Sequence, residues 1–110
     1  MQYTIEFFSK SVEDAILDLP ETLLARFFSL ADRMPTSGAN LGEPHTKAMG
    51  DGLFELRLKG AEGIARVFYC TLVGKRIVML HSFVKKTDKT PAKELTIAQK
   101  RMKECKDENL

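Results

Sequence analysis

Two kinds of apolar spacing predict the strands of this chain. Apolar and polar residues alternate along residues 3–8 and 53–59, the period of a strand with one covered face. Two further apolar segments, 64–72 and 76–84, follow 53–59 across short turns that contain glycine. Turns of this length join antiparallel strands. The pattern therefore predicts one strand near the N-terminus and a three-stranded antiparallel meander later in the chain.

Apolar residues three and four positions apart predict two helices between the first strand and the meander. The first runs from about Val12 to Leu19, with Ser11 as its expected N-cap. Pro20 separates it from the second, at residues 21–34. These helices are expected to form a hairpin on one face of the sheet.

A third helix closes the chain. Thr90 and Pro91 are a suitable N-cap and first-turn residue, and an apolar stripe continues to about Lys106. Residues 35–52, rich in Gly, Pro and small polar residues, are predicted to form a long surface loop. The order β-α-α-β-β-β-α indicates an α+β fold with an antiparallel sheet, and 110 residues suit a single domain over residues 1–110.

Charge is divided unevenly along the chain. Residues 1–44 contain three basic and seven acidic side chains, a net charge of −4, whereas residues 45–110 contain fourteen basic and eight acidic ones, a net charge of +6. Such a division suits a C-terminal half that meets a polyanion, although two ordinary solvated surfaces would also produce it. No apolar segment is long enough to span a bilayer, and the N-terminus does not resemble a signal peptide. We therefore expect a cytoplasmic protein without a membrane partner.

The two cysteines, Cys70 and Cys105, form no recognisable motif. Without a Cys-x-x-Cys pair or a secretory signal, both are interpreted as reduced thiols that act as small apolar residues. No His or Cys cluster with the spacing of a metal site is present, and no glycine-rich phosphate loop or dinucleotide fingerprint occurs. The sequence therefore indicates neither a metal site nor a cofactor.

Basic residues are interspersed among the apolar residues of the meander. Alternation along 53–59 places Leu56 and Leu58 on one face and Glu55, Arg57 and Lys59 on the other. The other basic candidates are Arg66, at the start of the next strand, and Lys85, Lys86 and Lys89, at and beyond the end of the last. A solvated sheet face would explain one such strand, but several together indicate a cationic face suited to a phosphate backbone, and to RNA in particular.

Three further side chains are candidates for chemistry. His45 lies in the predicted loop and is interpreted as an exposed polar residue. His81 lies within a strand, where a hydrogen-bonded structural role is favoured over general acid–base catalysis. Tyr69 could stack on a base or donate a proton, but its apolar neighbours favour the core.

The segments GLFELRLK, GIARVFY, IVMLHSFVKKTDKTP and AQKRMKE give the chain a family resemblance. Together they resemble the phage Gp49-like, HigB-type branch of the RelE/ParE toxin superfamily, most clearly between Gly52 and Glu104. The resemblance implies a RelE-like antiparallel sheet carrying an N-terminal helical hairpin and a C-terminal helix. It also implies the toxin of a type II toxin–antitoxin module, usually a metal-independent endoribonuclease that cleaves mRNA at the ribosome.

The resemblance also implies a role for each residue that matches a position of the family pattern. Arg66 would stabilise the phosphate, and one of Lys85 and Lys86 would act as acid or base. The RNA-binding assignments are Arg57, Lys59 and Lys89. His81 and Tyr69 are secondary catalytic candidates.

The resemblance implies partners as well. These are mRNA and the ribosome, an antitoxin with a helix-turn-helix domain, and operator DNA contacted through the toxin–antitoxin complex. Two alternatives share the same fold. One is a ParE-like toxin that inhibits DNA gyrase by binding, and the other is an inactive prophage-derived homologue that acts only as an antitoxin-binding co-repressor.

Overall fold

The computed structural model describes residues 2–86 and 89–108, so Thr87 and Asp88 of the basic motif lie outside the described residues. The elements in chain order are β1 (Thr4–Phe7), α1 (Lys10–Leu17), α2 (Glu21–Ala31), α3 (Met34–Ser37), β2 (Thr46–Gly50), β3 (Leu53–Gly60), β4 (Gly63–Leu72), β5 (Arg76–Lys85) and α4 (Ala92–Glu108). The α+β class, the meander β3–β5 and the closing helix are confirmed. Within the described ranges, no helix is both long and apolar enough to span a membrane.

In the described part of the chain, five strands form one sheet in the order β1-β5-β4-β3-β2. Strands β2 to β5 are antiparallel to their neighbours in sequence. Strand β1 is instead parallel to β5, with Ile5 opposite Ile77. The predicted antiparallel sheet is therefore confirmed for β2 to β5, and β1 is a parallel exception at its edge. A helical connection rather than a tight turn follows β1, so the chain need not reverse direction there.

Strand β2 lies where a surface loop was predicted. Thr46 is buried and pairs with Leu56, and Ala48 pairs with Phe54, so the segment is held by its neighbour β3. Its sequence, TKAMG, contains few of the β-branched and aromatic residues that mark strands. The prediction of an uninterrupted loop over 35–52 is wrong because backbone pairing, rather than local propensity, forms this strand.

The helices differ from their predicted bounds at the ends. Helix α1 begins at Lys10 because the Ser9 hydroxyl, rather than that of Ser11, accepts the Val12 N–H at 3.2 Å. Helix α2 ends at Ala31, three residues earlier than predicted, and the short helix α3 follows. Helix α4 begins at Ala92, so Pro91 rather than Thr90 directly precedes it, and the Thr90 hydroxyl donates to Glu55.

Apolar clusters lie on both faces of the sheet. On one face, α1 and α2 cover a cluster that includes Leu56, Leu58 and Val67. On the other face, the predicted stripe of α4 packs against Leu53 and Phe68 through Ala98, Met102 and Cys105. The predicted division of β3 into a Leu56–Leu58 face and a charged face is therefore confirmed.

Both cysteines lie on the α4 side of the sheet. Neither Cys70 nor Cys105, each within the described residues, forms a disulfide, and both are buried. Burial raises the pKa of the Cys70 thiol to about 12 and also raises the pKa of Cys105. Both thiols are therefore protonated at neutral pH, as expected of cysteines that behave as small apolar residues.

Candidate functional site

A β-bulge in β5 decides which side chains share a face with the arginines. Phe68 lies opposite His81, whereas the next residue of β4 lies opposite Met79, so Leu80 is an additional residue in β5. Because side chains alternate along a strand, one extra residue exchanges the two faces beyond it. The bulge therefore turns the end of β5, including Lys85, toward the face covered by α4.

Arg57 and Arg66 lie opposite each other on β3 and β4. Between them is Glu55, which is only 3% exposed. Its Oε1 accepts a hydrogen bond from Arg57 Nε at 3.3 Å and lies 3.5 Å from Arg66 Nε. Its Oε2 accepts a hydrogen bond from the Thr90 hydroxyl at 3.0 Å. One buried carboxylate thus holds two guanidinium groups and the segment that leads into α4.

The two arginines differ in accessibility. The Arg66 side chain is 12% exposed and that of Arg57 is 31% exposed. Arg66 donates through Nη1 to the Ala65 carbonyl, and its buried Nε has no hydrogen-bond partner among the described atoms. Burial lowers the pKa of Arg66, an effect that Glu55 opposes and Arg57 reinforces, but a guanidinium is basic enough to stay charged. Arg57 is therefore the arginine that presents its charge to solvent.

A concavity of about 350 Å³ opens above this cluster. We call it the basic concavity; the residues that line it include Lys47, Met49, Glu55, Arg57, Lys85, Lys89, Thr90 and Leu95. These described residues contribute four cations and one carboxylate, a net charge of +3. The carboxylate is already paired with arginines, so the concavity is suited to an anion.

Comparison with known proteins assigns the family. Residues 14–103 match the family described as "Phage derived protein Gp49-like (DUF891)". The chain belongs to this Gp49-like family. No curated protein is significantly similar to it in sequence.

A solved structure shows the fold. The Gp49-like chain is similar to a chain in the crystal structure of the archaeal RelE–RelB complex from Pyrococcus horikoshii OT3, with a TM-score of 0.56 and 21% identity. The match covers 78% of the Gp49-like chain and 98% of the archaeal chain. The fold is therefore RelE-like, and both findings support the resemblance to toxins of the RelE/ParE superfamily.

The structure brings together some of the site residues proposed for the Gp49-like chain. Arg57, Lys85 and Lys89 line the basic concavity, and Arg66 lies beneath it. Lys86 lines a separate hollow with Phe83 and Glu94. Lys59 lies on the other side of Arg57, in a second concavity. Lys85 is therefore the member of the lysine pair that lies with Arg57.

His81 links the sheet to α4. Its Nε2 lies 2.9 Å from Glu94 Oε2, and its ring stacks on Phe83 with centroids 6.1 Å apart. His81 is not among the residues that line the basic concavity. The hydrogen bond expected of a structural histidine is therefore present, and a catalytic role for His81 stays a prediction.

Tyr69 lies on the opposite face of the sheet from the arginines. It is fully buried, and its hydroxyl donates to the Ala39 carbonyl at 2.6 Å. Its ring stacks on Phe54 with centroids 5.4 Å apart. Burial raises the pKa of Tyr69 well above its ordinary value. The structure therefore does not bring this secondary candidate to the basic concavity.

Sequence reasoning missed three members of the site. Glu55 was placed on the charged face but not recognised as a buried ion-pair partner, although a Glu-x-Arg spacing on one strand face could have indicated it. Thr90 was interpreted as a helix cap. Lys47 falls within the predicted loop 35–52, and no local signal marks the strand that carries it toward Arg57.

Proposed function

We propose that this Gp49-like chain is the toxin of a type II toxin–antitoxin module and cleaves mRNA as a ribosome-dependent endonuclease. The observation that carries the proposal is the basic concavity, where four cations surround a carboxylate that is already paired. Such a surface favours a polyanion, and electrostatic stabilisation of the transition state often contributes more to catalysis than any other effect. Membership of the Gp49-like family and the RelE-like fold support the assignment to a toxin.

Cleavage would proceed by internal transesterification. The 2′-oxygen of the RNA attacks the adjacent phosphorus as its proton is removed, and the bond from phosphorus to the 5′-oxygen breaks as that oxygen gains a proton. The partly exposed guanidinium of Arg57 would stabilise the extra negative charge on the phosphorane. Lys85, in the same concavity, would supply or accept a proton.

Glu55 and Arg66 would position this machinery. The hydrogen bond to Glu55 limits the directions in which Arg57 can point, so less conformational freedom is lost when a phosphate binds. Arg66 adds a fixed positive charge below the concavity. The same Glu55 carboxylate holds Thr90, which places the segment carrying Lys89 beside the site.

An antitoxin would complete the module. The archaeal RelE structure is that of a complex with RelB. By analogy, we propose that a helix-turn-helix antitoxin binds the present chain and that the complex contacts operator DNA through the antitoxin. The test is copurification of the chain with the product of an adjacent small gene, followed by binding of that complex to the promoter fragment.

Primer extension on mRNA after brief induction in bacteria tests the nuclease. The native chain is compared with Arg57→Gln and with Arg33→Gln, a control that removes an equal charge at an exposed position outside the basic concavity. We expect cuts within translated codons with the native chain and with the control. We expect none with Arg57→Gln. Cuts that persist in Arg57→Gln would show that the site is wrongly assigned.

The same experiment separates the alternative functions. Growth arrest with intact mRNA would point to a gyrase-inhibiting toxin. Absence of arrest would point to a purely regulatory protein. Purified chain incubated with mRNA, with and without ribosomes, then tests ribosome dependence, since cleavage of free mRNA at an equal rate would contradict that part of the proposal.

A further inference from the structure

A second concavity lies on the other side of Arg57. Its volume is about 300 Å³, and the described side chains that line it include Arg26, His45, Arg57, Lys59 and Arg66. Its lining holds four guanidinium or ammonium groups and no carboxylate. Two of these cations, Arg57 and Arg66, also contact Glu55, so Arg26 and Lys59 are the ones that make the second concavity favourable to an anion. It shares Arg57 with the basic concavity.

Contacts between three distant parts of the sequence build this second concavity. Arg26 of α2 reaches His45, with 3.3 Å between its Nη2 and the imidazole Nδ1. The His45 carbonyl in turn accepts the backbone N–H of Arg57 at 2.8 Å. The Arg26 guanidinium is thus held at one wall while Lys59 of β3 forms part of another.

The cations of the two walls differ from Arg57 in their lack of a carboxylate partner among the described residues. In the part of the chain that the structure describes, neither Arg26 nor Lys59 makes a salt bridge. Arg57 pairs with Glu55, and its other salt bridge among the described residues is with Glu43, 3.7 Å away and largely exposed. Such a set of cations gains most from an external anion.

We infer that the second concavity is a subsite for a further phosphate of the same RNA strand, adjoining the one held in the basic concavity. Arg57 lines both, so a single strand that crosses it places phosphates on both sides. This inference rests on the proposed function, because it takes RNA as the ligand. It assigns Arg26 and Lys59 to substrate binding rather than to the chemical step.

The test measures how affinity grows with the number of phosphates. The probes are fluorescein-labelled 2′-O-methyl oligouridylates, a dinucleotide with one phosphodiester and a tetranucleotide with three, because the methyl group blocks the attacking oxygen and prevents cleavage. Fluorescence anisotropy gives the dissociation constant of each probe for the native chain and for Arg26→Gln. Arg33→Gln is the control, because it removes the same charge outside both concavities.

We expect the affinity of Arg26→Gln to depend less on the length of the probe than that of the native chain. For the native chain, the tetranucleotide should bind more tightly than the dinucleotide by on the order of tenfold or more. In Arg26→Gln this gain should shrink by about threefold or more, whereas in Arg33→Gln it should stay within about twofold of the native value. An unchanged gain in Arg26→Gln, or an equal reduction in Arg33→Gln, would overturn the subsite.

A second variant separates a loss of binding from a loss of folding. Arg26→Gln removes the contact with His45, whereas Lys59→Gln alters an exposed side chain on another wall and should reduce the length dependence in the same way. Thermal melting confirms that each variant is folded. A native chain that cleaves mRNA but shows no effect of either variant refutes the subsite alone. A native chain that binds neither probe and leaves mRNA intact refutes the proposed function and the subsite together.

Discussion

Glu55 is the residue through which the arginines and the segment before α4 are connected. A carboxylate that is 3% exposed has lost nearly all of its hydration, so it depends on charged and hydrogen-bonding partners. Arg57, Arg66 and Thr90 supply these partners. Removal of the carboxylate charge would leave two facing guanidinium groups without their shared counter-charge.

Glu55→Gln is therefore expected to destabilise the fold. The amide can still accept a hydrogen bond from Thr90 but cannot neutralise the arginines, so the free energy of unfolding should fall by about 2–4 kcal/mol. Urea denaturation followed by circular dichroism measures this change. Glu43→Gln, which alters an exposed carboxylate 3.7 Å from Arg57, should change stability by less than about 0.5 kcal/mol. Equal stability of both variants would contradict a structural role for Glu55.

At the scale of elements, β1 is joined to β5 by an ion pair as well as by backbone pairing. Arg76 donates to both carboxylate oxygens of Glu6 at 2.7 and 2.8 Å. The hydrogen bond from Arg76 holds the pKa of Glu6 below its ordinary value, against a weaker opposing effect of burial. The paired side chains are 32% and 40% exposed, so screening by solvent limits the energy of this pair.

The Glu6–Arg76 pair is expected to stabilise the protein only when Glu6 is ionised. Because the folded-state pKa is the lower one, the contribution is fully present above the ordinary value of 4.5 and is lost as the pH falls through the folded-state value. Glu6→Gln should therefore cost less than about 1 kcal/mol at neutral pH and nothing in strong acid. Denaturation curves of both proteins across this range measure the difference. A difference that grows on acidification would contradict the assignment.

The turn between β3 and β4 packs against the start of α2. Glu62 accepts hydrogen bonds from the backbone N–H of Thr22, at 3.0 Å, and from its hydroxyl. A side chain at Gly60 would overlap the Thr22 hydroxyl and place its Cβ 2.9 Å from that of Thr22. The absence of a side chain at Gly60 is therefore what allows the turn and the helix to approach.

Gly60→Ala is expected to lower the free energy of unfolding by about 1–3 kcal/mol, because the added methyl forces the turn away from α2. Thermal or urea denaturation measures this loss. Ala61→Ser, an exposed substitution in the same turn, should have an effect within about 0.5 kcal/mol. A stable Gly60→Ala protein would show that the turn can move without cost.

At the scale of the whole molecule, the basic second half of the chain supplies most of the cations around the two concavities. Lys47, Arg57, Lys59, Arg66, Lys85 and Lys89 come from β2 to β5 and from the segment before α4, and Arg26 comes from the acidic first half. An interface made of such charges binds with a strong dependence on ionic strength.

The affinity of the native chain for the 2′-O-methyl tetranucleotide should fall as salt rises. With three phosphodiesters and a slope of about −0.7 for each, an increase from about 50 to 200 mM salt should weaken binding roughly 20-fold. Anisotropy titrations at several salt concentrations give the slope. A probe of the same sequence with an uncharged methylphosphonate backbone should show almost no slope. A flat response of the charged probe would mean that phosphates do not contribute.

The sequence by itself determined the elements whose causes are local. Strands β3 to β5 follow from apolar periodicity and short turns, and α4 follows from its apolar stripe. Alternation placed Arg57 on the face opposite Leu56 and Leu58 because a strand has a period of two. The family resemblance, carried by the residues of these same segments, led to the RelE-like fold.

Only the tertiary structure decided how the charged residues meet. The bulge at Leu80, which turns Lys85 toward the arginines, arises where β5 pairs with β4 and has no local signal. Strand β2, with Lys47, forms because β3 offers it a pairing edge. Glu55 meets Thr90 across 35 positions of sequence. Contacts between such distant residues depend on the packing of the whole chain, which periodicity within a short segment does not specify.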